Sequence, residues 1–390
     1  MLNKPTTLFL LLFAAPAFVF SQAAKPVEKY PERAKLAFWS AQEKPFGFRN
    51  MEKIAPGNVV KRGGRVTSLP YAPRELAVEY QFQGAAWNTD RFMEANNVAG
   101  LLVLHEGKIL LERYALGLTE NGRWTSFSVA KSFTSTLVAA AVRDGKIQSL
   151  EDPVTKYLPA LKGSAYDGVS LRNVLNMASG VKWNEDYTDP KSDVLTPDSS
   201  SLAYMSKLPR AAEPGTKFNY NTGETHLVGK IVIAATGKPL ATYLSEKVWS
   251  KLGMEQDAFW MRSGDGLEMG GCCLSVSLRD YGRFALFIQN GGAINGSRVF
   301  APDWMAQATQ PTLFSFNKDL GRGYGYQWWT GAGGTFFATG IFGQHVQFFP
   351  DEKLVVVSLS AWPVATDRDR YKVREAYLEA VRNSVKAGRY

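Results

Sequence analysis

The stretch SFSVAKSFTSTLVAAAV, Ser126–Val142, sets a serine and a lysine three residues apart at the head of an apolar run. From Val129 to Val142 it holds, besides Lys131 and Phe133, only small, aliphatic and hydroxyl residues without proline or glycine, and it stops at RDGKI, where Gly145 can take a left-handed C-cap. This predicts a buried helix with Ser128 at its start. At spacing i, i+3 the side chains of Ser128 and Lys131 share a face. A serine hydroxyl is a weak nucleophile and needs a base beside it; a desolvated lysine gives up its proton more readily than one in water. Free amides at a helix start can also stabilise charge developing on a carbonyl oxygen. A structural reading competes, with Ser126 or Ser128 as an N-cap and Lys131 reaching for water.

Ser-x-x-Lys occurs at Ser128/Lys131, Ser179/Lys182 and Ser315/Lys318. Ser179 sits beside Gly180 at the end of a predicted helix, SLRNVLNMASG, where carbonyls point outward. Ser315 lies in a polar loop. Only Ser128 opens a helix, directly after Trp124 and Phe127. No Gly-x-Ser-x-Gly elbow occurs, and His105 (a turn), His226 (a helix) and His345 (a strand) each read as structural, so the base is not a histidine.

Upstream, VAGLLVLHEGKILLERYALG reads as a hairpin, Gly100–Leu104 and Lys108–Ala115 around His105–Gly107. Downstream, helical patterns closing on glycine fill residues 166–290: SLRNVLNMASG, GETHLVGKIVIAATG, PLATYLSEKVWSKLG and SLRDYGRFALFIQNGG. The end of the chain returns to strands, YGYQWWTG, TFFATGIFGQHVQFFP and KLVVVSLSAW, then a charged helix from about Asp369. A hairpin first, helices next, strands and a helix last imply an α/β layer built from 79–165 and 291–390, with a mostly helical insertion at 166–290. Residues 24–78 show no clean period and read as an irregular extension wrapping the body.

The 390 residues, 45% apolar and 21% charged, suit a globular protein. The first residues run from Lys4 through an apolar core, Leu8–Phe20, to small residues at Ser21 and Ala23, the pattern of a signal peptide cut after Ala23. A periplasmic or secreted protein, with no stable membrane insertion after cleavage, is expected. The formal charge of +9 is scattered, and no nucleic-acid module is recognisable. Adjacent Cys272 and Cys273 bridge only with difficulty, so two buried thiols are expected, with a vicinal bridge as the lesser reading, and two cysteines are too few for a zinc site.

With EPGTKFNYNTGETHLVGKIV and ATGIFGQHVQFFP in the same order, the sequence resembles the serine β-lactamase and penicillin-binding-protein superfamily. It is most similar there to the branch of AmpC-type β-lactamases, esterases and 6-aminohexanoate-dimer hydrolases. Further phrases carry the resemblance, among them SLEDPVTKYLP, LRNVLNMASGVKWNEDYTDP and VWSKLGM, over about 95 to 385. It implies a β-lactamase-like α/β fold: an antiparallel sheet flanked by N- and C-terminal helices plus a helical subdomain. It also implies Ser128 as acylated nucleophile, Lys131 and Tyr220 as proton-transfer partners, and the amides of Ser128 and Ile341 as oxyanion hole. Tyr187, Thr222, Thr339 and Gly340 would meet a small ester or amide substrate, and no cofactor is implied.

Two departures stand out. The asparagine of Tyr-x-Asn is Thr222, with Asn221 reading as a helix N-cap paired with Glu224. The lysine of Lys-Thr-Gly is Ala338, so the cation that recognises a β-lactam or peptide carboxylate is absent. Both favour an esterase or amidase for less anionic substrates over a β-lactamase or D-Ala-D-Ala peptidase. A non-catalytic envelope binding protein is the rival from another class. Trp124, Trp183, Tyr187, Trp260, Trp328 and Trp329 divide between core and an apolar cleft.

Overall fold

The computed structural model describes residues 29–310 and 322–390. The expected signal peptide and the Ser315/Lys318 pair lie outside the described residues. Among the described residues, beside two small two-stranded sheets at 79–88 and 293–298, two antiparallel sheets organise the body. The smaller holds β1 (Gly57–Val60), β4 (Arg123–Thr125), β5 (Ala258–Met261) and β6 (Leu274–Ser277), in spatial order β1-β5-β6-β4. The larger holds β2 (Val98–His105), β3 (Lys108–Tyr114), β7 (Gly323–Tyr324), β8 (Trp329–Thr330), β9 (Phe336–Gly340), β10 (Gln344–Phe349) and β11 (Leu354–Ser360), in order β7-β8-β9-β10-β11-β2-β3. Chain ends thus meet at the β11–β2 pairing, which runs from Leu354 opposite His105 to Ser360 opposite Val98.

The predicted hairpin forms as β2 and β3 around Glu106 and Gly107, both at positive φ. Its apolar run has no polar alternation because both faces are covered. Leu101, Val103, Leu354 and Val356 pack on the C-terminal helix α4 (Arg368–Lys386) through Tyr377 and Val381. Leu102, Leu104, Val355 and Val357 belong to the main core with Phe284 and Ile288 of α3 (Leu278–Gln289). The antiparallel α/β architecture with flanking helices is the one the resemblance implied. The opening stretch supplies α1 (Ala130–Arg143), buried on nearly every side and packed against α2 (Thr222–Thr236), which Gly237 ends at φ 70°.

Local expectations are corrected at several places. The region read as irregular carries short helices, Glu43–Phe48 and Met51–Ile54, and then β1. Only Val60 of β1 is buried, so it left no alternation to read. β5 and β6, four buried residues each, also lie inside the stretch read as helices and loops. The helix from Ser170 stops at Leu175 rather than Gly180, because Met177 turns left-handed at φ 56°. Cys272 and Cys273 are bonded to each other rather than free thiols; Cys273 takes φ 68°, which turns adjacent side chains toward one another.

Helix α3 approaches β2 closely at Gly282, where a Cβ would stand 2.6 Å from Leu102 Cδ2 and 2.9 Å from Leu104 Cδ1. Gly282→Val is therefore expected to lower stability by about 1–3 kcal/mol through overpacking. Guanidinium unfolding measures this, and an unshifted midpoint would contradict the close approach.

Candidate active site

The turn into α1 decides where Ser128 points. Ser126 is fastened to β6: its amide donates to Leu274 O at 2.8 Å, and its hydroxyl accepts from Leu274 N at 2.9 Å. Phe127 then takes φ 44°, a left-handed conformation that costs a bulky residue about 1–3 kcal/mol and persists only when its surroundings enforce it. Neither serine side chain caps the helix. Across the cleft a second such turn follows β9, with Phe342 at φ 60° just after Ile341. The rings of Phe127 and Phe342 lie 5.2 Å apart, and Phe48 of the N-terminal extension packs 4.9 Å from the first and 5.4 Å from the second. Gly340 fills the contact between the turns; a Cβ there would stand 2.7 Å from Ser126 O and 2.9 Å from Ser128 N. The amides of Ser128 and Ile341 are thereby held on adjoining walls of one cleft.

Lys131 is 2% exposed and donates to Ser128 Oγ at 3.1 Å, Thr222 Oγ1 at 3.0 Å and Gly271 O at 2.9 Å. Glu185, which the sequence reading did not single out, orders this cluster. Its carboxylate accepts from Thr222 N at 3.0 Å, from the Thr222 hydroxyl, from Tyr187 OH at 2.8 Å and from Trp183 Nε1. Since the Thr222 hydrogen is committed to Glu185, and Gly271 O can only accept, Ser128 is the one of the three partners able to donate a proton to a neutral Lys131. Burial lowers the Lys131 pKa to about 8, with the Glu185 charge opposing the shift. Spacing along the chain does not reveal Glu185; the WNEDY segment meets α2 only in three dimensions.

Tyr220 stacks on Trp329 at 5.5 Å and lies with its ring 5.1 Å from Lys131 Nζ. Burial raises its pKa, with the Glu185 charge adding to the rise and the Ser128 hydroxyl opposing it, so it rests as a phenol. Tyr187 is likewise a phenol, its proton directed at Glu185. Thr222 has its hydroxyl between Lys131 and Glu185, and the Thr339 hydroxyl donates to Gln344 O at 3.0 Å. Asn221 caps α2 by accepting from Glu224 N at 3.0 Å, while Glu224 meets the Asn221 side chain rather than its backbone amide. Ser179 donates to Glu224 and accepts from Val181 N, which removes it from the cleft. His105 meets Tyr390 and His345 meets Gln347. His226 accepts from Gly271 N at 3.2 Å, and burial with nearby Lys131 and Lys230 lowers its pKa to about 3, so it stays neutral.

Two cavities of about 720 Å³ and 580 Å³ meet at Ser128, Tyr187 and Ile341. Tyr220, Trp329, Thr339 and Gly340 border the larger; Trp183, Thr222, His226 and the Cys272–Cys273 pair border the smaller. Trp124, Trp260 and Trp328 are core. Ala37 and Phe38 of the N-terminal extension line both cavities, a role its sequence did not disclose.

The family described as Beta-lactamase matches residues 76–379. The chain belongs to the beta-lactamase family of serine hydrolases. Among its relatives is the 6-aminohexanoate-dimer hydrolase of Paenarthrobacter ureafaciens, 29% identical over 89% of this chain and 94% of that one. A D-aminopeptidase of Brucella anthropi is 29% identical over 39% of this chain and 31% of its own length. In structure, the chain resembles a provisional 6-aminohexanoate-dimer hydrolase from Bacillus anthracis, with TM-score 0.80, 23% identity and coverage of 92% of this chain and 99% of that one.

Two substitutions test the clasp around Ser128. Gly340→Ala has an allowed backbone but no room, and is expected to lower the rate on p-nitrophenyl acetate by about 10²-fold by displacing the Ser128 and Ile341 amides. Phe48→Ala is expected to destabilise the protein by about 3–5 kcal/mol, read by thermal unfolding. Wild-type rate in the first or wild-type stability in the second would contradict the assigned packing.

Proposed function

We propose that the protein is an exported hydrolase that cleaves ester or amide bonds through an acyl-enzyme on Ser128. The observation that carries this reading is the committed hydrogen bonding around Lys131, which leaves its lone pair, once neutral, facing Ser128. The Ser128 proton passes to Lys131 as Oγ bonds to the carbonyl carbon, and the amides of Ser128 and Ile341 receive the charge on oxygen. The Tyr220 phenol protonates the leaving atom and is reprotonated by the Lys131 ammonium, which closes the proton balance. Water then attacks the acyl-enzyme with Lys131 and Tyr220 in reversed roles. No metal or organic cofactor enters this scheme.

The substrate reading draws on the likeness to a 6-aminohexanoate-dimer hydrolase and on two cavities meeting at Ser128, which suit a linear molecule cleaved near its middle. Ala338, buried against Val346, offers no cation on β9, which weighs against turnover of D-Ala-D-Ala peptides. Export rests on the composition of residues 4–23, and a periplasmic or secreted location follows from it.

Ser128→Ala is expected to abolish both fluorophosphonate labelling and p-nitrophenyl ester turnover, while Ser179→Ala keeps turnover and loses about 1–3 kcal/mol of stability by leaving the buried Glu224 with only the long bond from Asn221. Label persisting in the first variant would remove Ser128 from the mechanism. Because Lys131 must be neutral to accept a proton, kcat/KM should rise with pH through about 8. Glu185→Gln removes the charge that favours the ammonium, so its acid limb should move to lower pH; a stopped-flow pH profile decides, and an unmoved limb would separate Glu185 from Lys131.

A further inference from the structure

Other buried cations among the described residues have acids near them, Arg374 the least closely with Glu375 at 3.9 Å. Lys230 pairs with Asp265, and Arg283 pairs with Asp280 and Glu255. Lys131 has Glu185 one hydroxyl away. Lys44 differs. It lies on the helix Glu43–Phe48, is 4% exposed, and lines the larger cavity with Ser128, Gly340 and Ile341. Its Nζ donates to Trp39 O and stands 5.3 Å from the centre of the Phe342 ring. Among the described residues it forms no ion pair, and its neighbour Glu43 accepts from Ser40 N at 2.8 Å instead. A carbonyl and a ring face leave an ammonium with unspent donors, and the Glu43 charge offsets only part of the cost of burying it. Burial accordingly lowers its pKa from the ordinary lysine value.

We propose that Lys44 is an anion subsite, so that the ester or amide attacked by Ser128 carries a carboxylate on the arm occupying the larger cavity. The inference rests on the hydrolase reading above and refines its substrate class. The cation missing at Ala338 is supplied from a different segment, on the wall that also carries Ile341. A carboxylate entering there forms a charge-assisted hydrogen bond with Lys44 between largely apolar walls, where such bonds are strongest. A substrate of this class has the carbonyl to be cleaved and a terminal carboxylate separated by a spacer that reaches from Ser128 to Lys44.

Two matched series test it. In one, the acyl group carries the anion: p-nitrophenyl monoesters of succinic to adipic acid against p-nitrophenyl esters of unbranched monocarboxylic acids of equal length. In the other, the leaving group carries it: 4-acetoxybenzoate against phenyl acetate. In one series wild-type kcat/KM should favour the carboxylate member by about tenfold or more after correction for intrinsic leaving-group reactivity, as for a hydrogen bond to a charged group. Lys44→Met should collapse that ratio, Lys44→Arg should restore much of it, and Lys44→Glu should reverse it. A wild-type ratio at or below one in both series, or an unchanged ratio in Lys44→Met, overturns the subsite. The wild-type ratio decides even if a variant fails to fold. If no ester is turned over in a Ser128-dependent way, the hydrolase reading itself falls; Ser128-dependent turnover with flat ratios removes the anion subsite alone.

Discussion

Two left-handed phenylalanines facing each other across a glycine hold the site together. Phe127 aims Ser128 into the cleft, Phe342 turns the chain just after Ile341, and Gly340 lets the two backbones approach until a methyl group would not fit. Such conformations are unfavourable for large side chains and need enforcement from outside. Here the enforcement comes from Phe48, whose ring meets both others, and from the β11–β2 pairing that fixes β9 and β10 through the sheet. Strain at the reacting centre is thus carried by aromatic packing contributed from three distant parts of the chain.

Within that clasp, charge is arranged by direction rather than quantity. Lys131 is surrounded by acceptors, yet only Ser128 has a hydrogen to give, because the Thr222 hydroxyl is turned toward Glu185. Burial favours the neutral amine and Glu185 favours the ammonium, so the two effects leave the group near the range where it can both take and return a proton. The phenols of Tyr187 and Tyr220 remain protonated for the same reason of burial.

How much of this the sequence disclosed depended on distance along the chain. Ser128 and Lys131 were legible because a helix converts a spacing of three into a shared face, and the hairpin because two glycine-bounded apolar runs can hardly do otherwise. Tyr220 and Ile341 became legible only through family motifs. Glu185 stayed hidden, since its partner Thr222 lies far along the chain and neither residue advertises the other. Lys44 and Phe48 stayed hidden in a segment without periodicity, whose strand buries one residue of four. β5 and β6 were missed because short, fully buried strands carry no alternation, and the cysteine bond because it depends on the positive φ of Cys273.

The order in which these parts leave the ribosome has its own consequence. Phe48 and Ser128 emerge long before Gly340 and Ile341, and domains with such distant contacts complete themselves only when the last strands arrive. Until β9 docks, Phe127 has the Phe48 ring but not that of Phe342 to enforce its turn, and Ser128 lacks the facing Ile341 amide. On the function proposed for Ser128, a nascent or truncated chain therefore carries it in an unarmed form, and reactivity reports on the completeness of folding.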